Sequence, residues 1–303
     1  LNEARRQQAI AFATTCFIEA CELDVAVRKP GNVSRQSGGH GMQAALFSTS
    51  ALASAAPLFK PGARVGERIE AAVAATWAAV DCNTNLGILL LCAPIARAFE
   101  LQSVARDPAS LRGAIEAVLA DLDVGDAAAT YRAIARANPG GLGSAPAEDV
   151  HSAPSIDLRS AMALAADRDS IARQYRDGYA ELFELGVAAV TGVLPELSIG
   201  PDGLALPAAA AIVQRVYLAF LASVPDSHIV RKHGAPLAHS VMRSAQPWRA
   251  RALAGEALDA DPAFAAWDLE LKAAGLNPGT SADFTVAALF AAGLANGARG
   301  RRR

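Results

Sequence analysis

Apolar residues return at intervals of three and four over 10–27, 65–80 and 111–122, on an alanine-rich background with few β-branched clusters. That spacing lines apolar side chains along one face of a helix, and alanine is the residue a helix tolerates best. The pattern predicts an all-α fold. Further helices are predicted over 42–55, 86–100, 127–137, 158–191, 207–223, 236–245, 248–274 and 281–294, with Pro207 and Pro236 at first turns, where a missing N–H costs nothing.

With 303 residues, 52% of them hydrophobic and 19% charged, the chain can bury a large core and reads as soluble and globular. No long charged or Ser-rich linker divides it, so one domain over 1–303 is expected, closing in a disordered Arg-rich tail at 297–303. The longest apolar run, 86–98, is broken by Pro94 and Arg97 and falls short of the ~18 residues a membrane span needs. A net charge of −2 with scattered basic residues argues against a nucleic-acid surface. Cys16, Cys21, Cys82 and Cys92 lack the C-x-x-C spacing of zinc or redox sites and are expected to be reduced, buried thiols of a cytoplasmic protein. Near the start, Glu3 and the Gln7–Gln8 pair break any signal-peptide core.

Four polar islands interrupt the helices: KPGNVSRQSGGHGM from Lys29, NTNLG from Asn83, PDSHIVRKHG from Pro225 and NPGTSADF from Asn277. Islands so far apart that carry most of the polar chemistry point to one site assembled by folding. The irregular stretch 138–154, NPGGLGSAPAEDVHSAP, is either a linker or a substrate loop, and its length favours function. Only Lys29, Lys60, Lys232 and Lys272 are lysines among 28 basic residues, and two of these fall in islands, as a phosphate contact would require. Lys-Pro-Gly recurs at Lys60, where no polar residues follow, and reads there as a plain turn.

Each island also has a structural reading. Glycines 38, 39 and 41 let backbone N–H groups approach an anion, or simply join two helices; Asn83 or Thr84 can cap the helix that follows. In the third island Asp226 suits a base or a magnesium ligand, and Arg231 and Lys232 suit phosphates. Asp283 falls in a helix first turn capped by Thr280 or Ser281, where a carboxylate complements the dipole and free N–H groups can cradle an anion. Asp169 and Arg173, four apart, are expected to form an exposed ion pair.

In this order the islands resemble the triphosphoribosyl-dephospho-CoA synthase family, with its KPG, NT, D-(S/T)-H-x-x-R-K-x-G and N-P-G-(T/S)-(S/T)-A-D elements. A PGGLG-like loop at Pro139 and the A-A-D-R-D-x-I-A-R-Q-Y stretch from Ala165 add to the likeness, which covers about 22 to about 290. The resemblance implies an all-helical transferase that cleaves the ribose–adenine bond of ATP and moves the triphosphoribosyl group to a hydroxyl of 3'-dephospho-CoA. It implies Mg²⁺ with ATP as substrate, no nucleic-acid or membrane partner, and leaves room for a homodimer. Carried over, the catalytic candidates are Asp226, Asp283 and His40. Lys29, Gly31, Asn32, Ser34, Asn83, Thr84, Asn85, Arg231, Lys232, Gly234, Gly279, Thr280 and Ser281 become nucleotide or phosphate contacts, and Asp226, Asp283 and Asp169 metal candidates. One departure stands out. Members acting on dephospho-CoA tend to read NTHKG where this chain has NTNLG, a form similar to homologues of methylotrophs and archaea whose acceptor belongs to tetrahydromethanopterin synthesis. Another acceptor, or a nucleotide-binding protein without turnover, are the alternatives.

Overall fold

Every regular element among the described residues (3–102, 107–190 and 197–300) of this computed structural model is helical; Gly39 with Met42 and Ile199 with Ala205 form isolated bridges. Helices α1 (Glu3–Ala26), α2 (Ala44–Leu58), α3 (Val65–Val80), α4 (Leu86–Gln102), α5 (Pro108–Ala120) and α6 (Val124–Ala137) come first. After the irregular stretch come α7 (Leu158–Ala165), α8 (Ser170–Arg176) and a π-helical turn, Leu182–Val187, that continues into α9 (Ala188–Val190). Then follow α10 (Pro207–Leu221), α11 (Ser227–His233), α12 (Ala235–Leu253), a 3₁₀ turn at Leu258–Ala260, α13 (Pro262–Ala273) and α14 (Gly279–Gly300). Of the expected Arg-rich tail, 301–303 lie outside the described residues, and α14 runs on to Gly300.

Helix α14 is the axis of the molecule. Phe284, Val286, Ala287, Ala288, Leu289 and Phe290 are consecutive or nearly so and all buried, which happens only when a helix is covered on every side. Helices α1, α4 and α10 supply the cover. Phe290 meets Phe17 and Phe59, with all three ring pairs edge-on at 5.9 Å. A second, smaller core gathers Tyr217, Ile229, Val241, Phe264, Leu271 and Ala282 between α10–α13 and the start of α14. It lies directly behind the third and fourth islands.

Two predicted helices break. The one expected over 158–191 splits where Asp169 caps α8, accepting hydrogen bonds from the N–H groups of Ile171 (2.9 Å) and Ala172 (3.1 Å), and again at Gly178 and Tyr179, both left-handed (φ 58° and 59°). Its predicted end at Thr191 lies outside the described residues. The break has a use: the Tyr175 hydroxyl donates to the Leu90 carbonyl (2.7 Å), which Pro94 cannot serve because it has no N–H. Tyr179 does the same for Leu91 (2.8 Å). The helix expected over 248–274 splits too. Its first part joins α12, which passes through Pro247, and Asp261 starts α13 by capping Ala263 N–H (2.8 Å).

The second Lys-Pro-Gly is a turn as expected, with Gly62 at φ 76°. The four cysteines form no disulfide; burial pushes the thiols of Cys21 and Cys92 well up, while Cys16 and Cys82 are partly accessible. Among the described residues no helix is long and apolar enough to cross a membrane.

Candidate active site

The four islands converge. One cavity of about 560 Å³ is lined by Asn32 and His40 from the first, Asn83, Thr84 and Gly87 from the second, His228, Arg231 and Lys232 from the third, and Asn277, Gly279, Thr280 and Asp283 from the fourth. The 138–150 segment, read from sequence as a linker or a substrate loop, forms another wall of this cavity. Gly140 and Gly141 sit against the third island: a Cβ would come within 2.8 Å of Lys232 Cε at position 140, and of the Arg231 carbonyl at position 141.

The first island is built around Gly31. Its left-handed backbone (φ 82°) lies so close to the fourth island that a Cβ would stand 2.7 Å from Pro278 Cδ. Its N–H donates to Asp268 (2.9 Å), and the Tyr217 hydroxyl donates to the neighbouring Pro30 carbonyl (2.7 Å). His40 Nε2 lies 2.8 Å from the Gly31 carbonyl. Because a carbonyl only accepts, Nε2 carries the proton and Nδ1 is the free ring nitrogen. Asn32 and Asn277 bond side chain to side chain (2.9 Å), joining first island to fourth.

Several predicted contacts lie elsewhere. Lys29, expected on phosphate, is wholly buried and does not line the cavity; its ammonium donates to the main-chain carbonyl of Asp24 and lies 3.2 Å from that residue's carboxylate. Gly31, Ser34 and Gly234 are also set back from the cavity wall. Asn85 turns away to bond Ser54 (3.3 Å), because alternate members of a helix start cannot all face one side. Asn83 caps α4 as the structural reading expected, accepting from Leu86 N–H (3.2 Å), and it also lines the cavity. Thr84, in the wall, donates to Ser50 (2.6 Å).

Asp226 is corrected most. It is 3% exposed and absent from the cavity wall. One oxygen accepts the N–H groups of His228 (3.0 Å) and Ile229 (3.2 Å), and the other accepts the N–H (2.7 Å) and hydroxyl (2.8 Å) of Ser281. A carboxylate whose lone pairs are committed to four donors clamps two helix starts together and has nothing left for a metal or a proton in flight. Ser281 is spent on the same clamp. The cradle expected at the start of α14 shrinks further, because Gly279 and Ala282 N–H groups bond Asn277 and Pro278 carbonyls. Asp169 pairs with Arg231 (2.8 Å) rather than with Arg173, which pairs with Glu181 (3.1 Å), so its two oxygens go to the α8 cap and to Arg231.

Of the predicted carboxylates, Asp169, spent on the α8 cap and on Arg231, and Asp283 line the cavity. Enclosure, then the negative charges of Asp24, Asp226 and Asp169, push the pKa of Asp283 well above the ordinary carboxylate range, with Arg231 opposing. Gly87 makes its room: a Cβ there would overlap Asp283 Oδ2 and lie 2.9 Å from Ile171 Cδ1. Opposite in sign, burial and the charges of Lys232 and Arg231 push His228 down to about 3, so it presents a neutral imidazole. Its Nδ1 would lie 2.5 Å from a Cβ at Gly279.

Two residues outside the islands belong to the site. Asp24, in the last turn of α1, lines the cavity, and buried Asp268 of α13 anchors the KPG turn while accepting from Lys272 (2.9 Å). Neither carries a sequence signature, since each looks like one more polar position on an amphipathic helix.

Cations beside glycine backbone, with an enclosed carboxylate of raised pKa near the start of a central helix, gather at the cavity of this all-helical chain. Residues 11–302 match the profile of the CitG family, ATP:dephospho-CoA triphosphoribosyl transferase, and the chain belongs to that family of transferases. Among solved structures it is similar to a candidate triphosphoribosyl-dephospho-CoA synthase from Archaeoglobus fulgidus, with a TM-score of 0.60 and 20% identity over 81% of this chain and 97% of that one. At such identity the likeness speaks for the all-α fold. No curated protein matches the chain.

Proposed function

We propose that this protein transfers the 5-triphosphoribosyl group of ATP to a hydroxyl of 3'-dephospho-CoA, with adenine as leaving group. One observation carries the reading: Asp283 shares a cavity with Arg231 and Lys232, so a carboxylate able to hold a proton stands within one nucleotide's reach of cations suited to phosphates. The triphosphate lies against Arg231, Lys232 and the glycines of the 138–143 segment; Asn32, Asn83 and Thr84 orient sugar and base.

The acceptor oxygen bonds to the anomeric carbon while the carbon–nitrogen bond breaks and its electron pair leaves with adenine. The acceptor proton passes to Asp283, and the departing base takes a proton from solvent, because the His40 proton sits on Nε2, where it is donated to the Gly31 carbonyl. Attack opposite the base inverts a β-bond to an α-product, so no covalent enzyme intermediate is needed. Orientation and electrostatics supply most of the acceleration.

Mg²⁺ enters with the triphosphate. The oxygens of Asp226 and Asp169 are occupied, and among the described residues no three His, Cys, Asp or Glu side chains form a metal cage. Magnesium held largely by substrate phosphates is the usual arrangement.

A second acceptor keeps a specific support. Leu86 lines the cavity at the position where NTHKG-type members have lysine, so the wall is apolar where a dephospho-CoA phosphate would look for a cation. The same transfer to a tetrahydromethanopterin precursor fits that change. Incubation with ATP, Mg²⁺ and either acceptor, followed by chromatography for adenine, tests both; absence of adenine with every acceptor rejects the reading.

A further inference from the structure

Asp24 is a buried charge that the fold alone does not explain. It sits near the C-terminal end of α1, where the helix dipole disfavours a carboxylate, and that last turn contains no basic residue. It is 4% exposed, lines the cavity, and its Oδ1 is buried without a hydrogen bond. Its compensation is Lys29, itself 0% exposed, 3.2 Å from Oδ1 and bonded to the Asp24 carbonyl. Stability does not account for this arrangement, since a buried ion pair is often no better than apolar side chains of the same volume. Nor does phosphate binding, because the ammonium faces Asp24 and the carboxylate would repel a phosphate.

Resting on the transferase reading above, we infer that Asp24 is a further catalytic residue: a carboxylate that stays ionised in the cavity wall and stabilises positive charge developing on the ribose as its bond to adenine breaks. Lys29 is then a positioning residue that holds Asp24 ionised. Of the carboxylates that line the cavity, Asp24 and Asp283 divide the work by environment, as pairs in glycoside chemistry do. Asp283 accepts the acceptor's proton; Asp24 neither gains nor loses one, and no bond forms to it. Burial raises Asp24's pKa against the pull of Lys29, and burial with neighbouring carboxylates pushes that of Asp283 well above the usual range.

The test compares wild type with Asp24→Asn, Asp24→Glu and the double variant Asp24→Asn/Lys29→Met, measuring adenine release from MgATP with dephospho-CoA or the pterin precursor, alongside thermal melts. Asp24→Asn is expected to lower kcat about 10²-fold or more while KM for ATP stays level or falls, because a negative charge has left a site for a polyanion. Asp24→Glu should recover part of that kcat. The double variant removes both buried charges, so it should melt close to wild type and remain as slow as Asp24→Asn. If the double variant regains folding and activity together, the pair is structural and the inference fails. It fails too if Asp24→Asn keeps kcat within threefold. Wild type that releases no adenine with any acceptor overturns the transferase reading instead, a result distinct from either.

Discussion

Gly87 and Asp283 occupy one another's space: the α-carbon of the glycine lies so near the carboxylate that any side chain at 87 would overlap Oδ2. The second island thus contributes an absence of atoms as much as its amides. Gly87→Ala should therefore displace Asp283 without unfolding α4, and a displacement of about 1 Å at a reacting group costs about 10²-fold in rate. Steady-state adenine release beside far-UV circular dichroism checks this; unchanged kcat would mean that Asp283 is not the base.

Asp226→Asn is expected to act on stability first. The amide presents a donor to Ser281 and loses charge-assisted bonds at two helix starts, a cost of about 1–3 kcal/mol. Urea denaturation measures it. Near-wild-type stability with turnover abolished would return Asp226 to a direct chemical role.

The raised pKa of Asp283 has a signed consequence. A base must be unprotonated, so kcat should fall as pH drops through that raised value, at a pH above the ordinary carboxylate range. Asp24, Asp226 and Asp169 hold the value up and Arg231 pulls it down. Asp24→Asn should therefore move the acid limb to lower pH and Arg231→Gln to higher pH. A pH–rate profile whose limb ignores both changes contradicts the assignment.

Lys232, exposed at the cavity rim beside Gly140, should serve binding more than chemistry. Lys232→Ala is expected to raise KM for ATP about tenfold, with kcat within a few-fold of wild type and a weaker dependence on salt. A fall in kcat at unchanged KM would place Lys232 in the transition state.

The convergence of the islands was legible because glycine, proline and paired polar residues interrupt a regular helical period, and such interruptions have few structural uses. Local patterning could not say which face of each island turns inward. Asp226 looks like a catalytic residue until α14 brings Ser281 to its second oxygen, and Lys29 like a phosphate ligand until the end of α1 places Asp24 in front of it. The break at Tyr179 was hidden for a similar reason, since the left-handed residue is stabilised by a hydroxyl bond to a carbonyl that Leu91 offers 88 positions away. Long-range partners decide these points.

The most direct measurement uses ATP labelled separately in the ribose and in the base, incubated with the protein, Mg²⁺ and acceptor. Triphosphoribosyl transfer predicts the ribose label, with all three phosphates, in the acceptor product and the base label in free adenine. Both labels remaining together in one molecule, whether ATP, ADP or an adenylated product, would contradict it.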